Sequence, residues 1–282
     1  MTRPAAPVPT TREVLDSARD AARLLDGISY RTPIHTSRAL SEVAGLPVLL
    51  KCENLQRSGS FKLRGAYVRM ARLDDESRAR GVVAASAGNH AQGVALAAAE
   101  LGIPAVVYMP TDAALPKVAA TRDYGAEVRL VGDSVDEALA AAAAESARSG
   151  AVLIHPYDHR DVVAGQATVA LEIAEQVPDA GTVLVPLGGG GLTAGIAAVL
   201  AEVLPSATVV GVQAERAAAW PSSLAAGSLG RRRSPRRWPT GSRSAPRAGS
   251  PSGSLRDSVS RSGPSARTRS PGRCSPSRSA PS

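Results

Sequence analysis

The amino-acid sequence predicts an α/β protein with parallel sheets flanked by helices, and three observations carry that prediction. Short apolar runs of β type alternate with alanine-rich helical stretches. The runs are apolar throughout instead of alternating with polar residues, and the whole pattern stops near Gly230. Strands that are apolar on both faces and separated by helices belong in parallel sheets covered on both sides.

In chain order, "TTREVLDSARDAARLL" opens a helix. Thr10 and Glu13 fit a capping box, and Val14, Ala18, Ala21 and Leu25 share one face. Strands are expected at "VLLK" (48–51), "GVVAAS" (81–86), "AVVYM" (105–109), "EVRLV" (127–131), "AVLIH" (151–155), "TVLVPL" (182–187) and "TVVGV" (208–212). Helical patterns such as "HAQGVALAAAEL" and "SVDEALAAAAAESA" lie between them. Beyond Gly230 nothing of this kind recurs. Residues 231–282 hold 15 Ser, 13 Arg, 8 Pro and 5 Gly, and Leu255 and Val259 are their only branched aliphatics. Such a segment cannot bury enough apolar surface to offset its ordering entropy, so it is expected to be disordered.

A net charge of +8 points to a nucleic-acid partner until it is divided by position. Residues 1–230 carry 20 basic and 24 acidic side chains, whereas residues 231–282 carry 13 arginines and one acid, Asp257. The positive excess belongs to the tail, and the body is mildly acidic, as an ordinary soluble enzyme is. At 282 residues the chain is long enough for one large or two modest domains. Two cysteines, Cys52 and Cys274, make neither a disulfide framework nor a metal cluster. No apolar run reaches membrane-spanning length and the first residues lack a signal-peptide pattern, so a cytoplasmic protein is expected.

Only three of the 33 basic residues are lysines: Lys51, Lys62 and Lys117. Lys62 stands in "NLQRSGSFKLRGA", between a Ser-Gly-Ser turn and a helix start. A lone lysine there is ordinarily a solvated charge. Two loops argue for more. "SAGNHAQG" (86–93) joins a strand to a helix, where backbone N–H groups and the helix dipole favour an anion. "LGGGGLTAG" (187–195) places four glycines after a buried strand and before another helix, so its backbone can curl around a phosphate. A tight turn is the simpler reading of the glycines. The loop lacks the Gly-Lys-Ser/Thr ending of a nucleotide P-loop, and no G-x-G-x-x-G with a following acid occurs. A phosphate cup, an anion loop and an isolated lysine together point to pyridoxal phosphate. Its lysine must lose a proton to bond the cofactor and act as a base, and the cofactor serves as an electron sink.

The blocks "KCENLQRSGSFKLRGA" (51–66), "ASAGNHAQGVA" (85–95) and "GGGGL" (188–192) resemble the threonine/serine dehydratases of fold-type II (tryptophan-synthase-β-like) pyridoxal phosphate enzymes. The resemblance runs from about residue 12 to 229. It implies that Lys62 carries the cofactor and takes the substrate α-proton, and that Asn89 hydrogen-bonds the pyridine ring's phenolic oxygen. It further implies that Gly188, Gly189, Gly190, Gly191 and Leu192 cradle the phosphate through backbone N–H groups. The loop Ser86, Ala87, Gly88, Asn89 and His90 would then hold the substrate carboxylate. The implied reaction turns L-threonine or L-serine into a 2-oxo acid and ammonia. Serine racemases of the family carry a second serine where Ala87 stands, so alanine favours elimination over racemisation. The acids that would make a divalent-cation site near Gln213 and Ala219 are absent, so no metal site is expected.

The resemblance also implies two α/β domains with the cofactor between them: a large one from 1–57 plus 158–230, and a small one, 58–157, inserted in it. A small hydroxy amino acid is the implied substrate, a homo-oligomer the implied assembly, and no membrane partner follows. The family continues past residue 230 with more of the large domain. The codons for "RRWPTGSRSAPRAG", read one base upstream, permit "ATMADGIAVGAPGG", which has the family's pattern. Frameshifted translation from about Gly230 is therefore expected, an incomplete large domain with it, and the gene sequence decides the point. A rival reading is a catalytically impaired or non-catalytic scaffold whose basic tail binds RNA or DNA, although the tail has only Trp238 to stack on bases.

Several of these residues also have simpler structural roles. Asn89 suits a helix N-cap, His90 a packing or capping residue, Arg64 a structural ion pair and Cys52 a small core residue. His155 and His159 in "HPYDHRD" invite a metal reading that no acid or cysteine cluster supports.

Overall fold

A computed structural model describes residues 8–226. The expected disordered tail, 231–282, lies outside them. The first half runs α1 (Thr11–Leu24), β1 (Ile34–Thr36), α2 (Arg38–Ala44), β2 (Leu49–Lys51), α3 (Lys62–Ala71), α4 (Asp75–Arg80), β3 (Val82–Ala85), α5 (Asn89–Leu101) and β4 (Ala105–Met109). It continues with α6 (Leu115–Asp123), β5 (Glu127–Leu130), α7 (Val135–Ser149), β6 (Val152–Leu153), α8 (Arg160–Gln176), β7 (Thr182–Pro186), α9 (Gly191–Val203), β8 (Thr208–Val212) and α10 (Trp220–Ala226).

The capping box of α1 is present. Thr10 N donates to Glu13 Oε2 at 2.7 Å and Glu13 N returns a bond to the Thr10 hydroxyl. Ala18, Ala21 and Leu25 are buried and Val14, half-buried, packs against the same core, as the helical spacing predicts; Leu15, which the pattern leaves out, is buried beside them.

Strands β3–β6 form one parallel sheet in the order β5-β4-β3-β6. Its central strand is apolar on both sides because both sides are covered. Val82 and Ala84 face α3 and α5, with Leu63, Val94 and Val107, whereas Val83 and Ala85 face α7 through Ala138 and Ala142. The expectation of parallel sheets covered on both faces holds here and fails in two other places. Strand β1, three residues and too short for any period to be read, pairs antiparallel with β2, Ile34 opposite Lys51. Strands β7 and β8 pair in parallel, but among the described residues helices α1, α8 and α9 cover one side, where Val185 is buried among Ile196, Val199 and Leu200. On the other side Leu184, Val212 and Val210 remain 67%, 51% and 40% exposed.

Helix α3 is gripped from two sides at glycines. A Cβ on Gly93 of α5 would lie 2.9 Å from the Lys62 carbonyl carbon. A Cβ on Gly165 of α8 would lie 2.5 Å from the Arg64 oxygen, and one on Gly65 2.8 Å from the Val162 oxygen. These helices touch through backbone, which fixes the start of α3 closely.

Candidate functional site

Lys62 is the first residue of α3. Its ammonium donates to the Pro156 carbonyl oxygen at 2.7 Å. Burial disfavours the charge and pushes its pKa down to about 8. Roughly one molecule in ten then holds a free amine at pH 7, against about one in 3,000 for an ordinary lysine.

The carbonyl that takes Lys62 belongs to a short strap, Ile154–Tyr157, which connects the three loops singled out in the sequence. Ile154 is fully buried and its oxygen pairs with His90 Nε2 at 2.9 Å. A carbonyl can only accept, so Nε2 carries the proton. Burial first, and the nearby Lys62 charge second, push the His90 pKa down to about 3, which leaves the ring neutral and fixed. The Tyr157 ring occupies the position where a Cβ on Gly189 would fall, and its backbone oxygen would lie 2.8 Å from a Cβ on Gly191. His155 closes the strap as a turn, accepting from Asp158 N at 2.8 Å, and His159 caps α8, accepting from Asp161 N at 3.1 Å. Among the described residues no cluster of three metal-ligating side chains occurs, and both histidines have these structural tasks.

The tetraglycine turn is shaped by two aromatic residues. Gly190 has φ +98°, and a Cβ there would lie 2.6 Å from Trp220 Cζ2. Trp220 Nε1 donates to the Gly188 oxygen at 2.7 Å. Gly189, Gly190 and Gly191 are therefore required by Tyr157 and Trp220, whereas a Cβ on Gly188 would meet nothing within 4 Å; the same backbone suits a tight turn and a phosphate cup alike. Gly191 and Leu192 open α9, so their N–H groups sit at its positive end. In the same first turn the Thr193 hydroxyl is buried and has no hydrogen-bond partner among the described residues. A buried donor of this kind is costly until an acceptor arrives, and a phosphate oxygen supplies one. The residues present thus fit a phosphorylated cofactor.

The loop Ser86–His90 runs from β3 into α5. Gly88 N donates to the Ser86 hydroxyl at 3.1 Å. Gly88, not Asn89, is the N-cap, and Asn89 opens the helix. The Asn89 side chain is engaged elsewhere: its Oδ1 accepts from Lys117 Nζ at 2.8 Å. Ala87 lies between these, partly buried.

Arg64 makes the structural ion pair expected of it. It is 1% exposed, forks onto Glu53 with two bonds of 2.9 Å and reaches Glu172 at 2.6 Å. Lys51 pairs with the other Glu172 oxygen, although burial lowers its own pKa. Cys52 differs from its expected place. It is only half-buried, because β2 beside it is itself largely exposed.

Pro156, Tyr157, Thr193, Trp220 and Lys117 were not anticipated as parts of this region. The rarity of lysine was the one available signal for Lys117; the others act by contacts between segments far apart in sequence.

The pyridoxal-phosphate dependent enzyme family matches residues 25–263. An L-threonine ammonia-lyase of Thermotoga maritima is 49% identical over 213 residues, covering 76% of this chain and 53% of that protein. Threonine deaminase isoform 2 of Solanum lycopersicum superposes with a TM-score of 0.74 at 36% identity, over 81% of this chain and 66% of that one. Maize serine racemase gives 0.73 at 37% identity, over 76% and 65%. The chain spans about half the length of two curated L-threonine ammonia-lyases that it matches. With a lysine of lowered pKa, a glycine turn at a helix start and this match over most of its length, the chain belongs to the family of pyridoxal-phosphate dependent enzymes.

Proposed function

We propose that this protein is a pyridoxal phosphate-dependent dehydratase that converts L-threonine or L-serine to a 2-oxo acid and ammonia. The observation that carries the reading is the Ile154–Tyr157 strap. One carbonyl holds the Lys62 amine, another fixes His90, and the next ring packs the tetraglycine turn.

Pyridoxal phosphate, when bound, supplies an electron sink for the charge left at the substrate α-carbon. Lys62 would bond the cofactor through Nζ, and the same atom is the base placed to take the substrate α-proton, a role for which a pKa near 8 suits it. The N–H groups of Gly188–Leu192 would hold the phosphate, with the Thr193 hydroxyl beside them. Asn89 would bond the pyridine ring's phenolic oxygen. The Ser86–His90 loop receives the substrate carboxylate. His90 contributes backbone there, since its imidazole is committed to Ile154. Ala87 offers no hydroxyl to move a proton on the opposite face, which favours elimination over racemisation. The β-hydroxyl leaves as water, and a water taken up later releases ammonia.

In this reading residues 58–157 form a small domain inserted in a larger one, the protein works in the cytoplasm and it assembles as a homo-oligomer. A second reading, an impaired scaffold, draws on the open β7–β8 face with Leu184 67% exposed. The deciding experiment loads the full chain with pyridoxal phosphate, reduces it with borohydride and maps the modified peptide. Next, 2-oxo acid release from threonine and from serine is measured. A label on Lys62 with turnover is the expected result. A label without turnover favours the impaired scaffold, and no label on Lys62 refutes both the site and the activity.

A further inference from the structure

We propose that Lys117 is a positioning residue that dictates which end of the Asn89 side-chain amide is presented to the cofactor; this rests on the role given to Asn89 above. The other two lysines have evident tasks, Lys51 in the buried pair with Glu172 and Lys62 in the site. Lys117 stands on the first turn of α6 and makes no ion pair among the described residues. Its ammonium reaches across 28 residues of sequence to Asn89 Oδ1, at 2.8 Å. Its Cδ and Nζ lie 3.7 Å from the position a Cβ on Gly88 would take, so the side chain lies along the Ser86–His90 loop.

The chemistry of the two groups leaves one arrangement. A lysine ammonium has three donors and no acceptor, so the amide oxygen must be the end that faces it. With Oδ1 turned to Lys117, the end of Asn89 left to face the cofactor is the Nδ2 group with its two donors. A donor is what an ionised phenolic oxygen requires. Released from Lys117, the amide is free to invert and to present oxygen lone pairs to that anion. The lysine also keeps its charge close to the loop, so a neutral replacement removes both orientation and field.

The test uses the full chain, with circular dichroism confirming that each variant is folded. The readouts are the dissociation constant of pyridoxal phosphate and the pH titration of its absorbance on the protein. Lys117→Met is expected to weaken binding roughly ten-fold, the worth of one charge-assisted hydrogen bond, and to displace the absorbance titration. Lys117→Arg restores most of both. In an Asn89→Ala background, Lys117→Met adds less than about a two-fold change, because the residue through which it acts is gone. Binding and titration unchanged in Lys117→Met overturn the proposal, as does a ten-fold loss that persists in the Asn89→Ala background. If wild-type Lys62 is not trapped by borohydride, the functional reading fails and this one with it. If it is trapped and Lys117→Met behaves as wild type, only this inference fails.

Discussion

Gly93→Ala should damage the site more than it damages the fold. The added Cβ would lie 2.9 Å from the Lys62 carbonyl carbon, 3.0 Å from Leu63 N and 3.1 Å from Lys62 Cβ. Ordinary carbon contacts are about 3.5–4.0 Å, so α5 and the start of α3 must separate by roughly 0.5–1 Å. Two of the three atoms are backbone, which cannot rotate away. Overpacking of this kind costs about 1–3 kcal/mol. Alanine returns about 1 kcal/mol of helix propensity in the interior of α5. The net loss is then about 0–2 kcal/mol, a drop in Tm of up to roughly 8 °C for a protein of this size. Two of the displaced atoms, however, belong to Lys62, the residue proposed to bond the cofactor. Differential scanning calorimetry gives the stability, and borohydride trapping gives the fraction of Lys62 in place to bond the cofactor. A Tm within a few degrees of wild type with sharply reduced trapping is the expected result. Wild-type trapping alongside a lowered Tm would show that α5 yields without moving Lys62, and the coupling drawn from this contact would be wrong.

Two further perturbations probe the surroundings. Arg64→Met leaves Glu53 without its cation and Glu172 with Lys51 alone, and removing one member of a buried ionic cluster costs about 3–5 kcal/mol; chemical denaturation that shows less than about 1 kcal/mol would mean water re-enters and screens the carboxylates. The second concerns pH. Without cofactor, Lys62 has a pKa of about 8 when folded and 10.5 as its ordinary value, so the unfolded chain binds more protons between the two. Stability conferred by relieving the buried charge is thus absent below pH 8 and rises with pH through the window from 8 to 10.5. Lys62→Met should remove that rise, by about 1–3 kcal/mol allowing for the partial exposure of the amine, and parallel denaturation curves for the two proteins across this window would contradict it.

Much of this protein was legible before any coordinates. The central strands could be read because they are apolar at every position, and only a sheet covered on both faces asks for that. Lys62, the Ser86–His90 loop and the glycines were legible because each is a local pattern: a rare lysine at a helix start, and turns between a strand and a helix. Arg64 declared itself as an ion-pair residue, since a charge inside an apolar helical pattern needs a partner, although nothing local named Glu53 or Glu172. An incomplete large domain implies exposed sheet surface, but which face of β7–β8 is the open one was not legible, because an apolar strand reads alike whether or not a layer lies over it.

The sequence by itself determined the α/β class, the order of the seven apolar strands from β2 to β8 and which residues are candidates for the chemistry, because these follow from periodicity and from backbone preferences acting over a few residues. Only the tertiary structure decided what those residues face. Pro156 and Tyr157 reach Lys62 and the glycine turn across 94 and about 30 residues of chain, Trp220 shapes Gly190 from a helix 30 positions on, and Lys117 orients Asn89 across 28. Contacts of that range have no local signature. They are set by the close approach of α3, α5 and α8 at Gly93, Gly65 and Gly165, where packing of backbone on backbone fixes which distant segment meets the lysine.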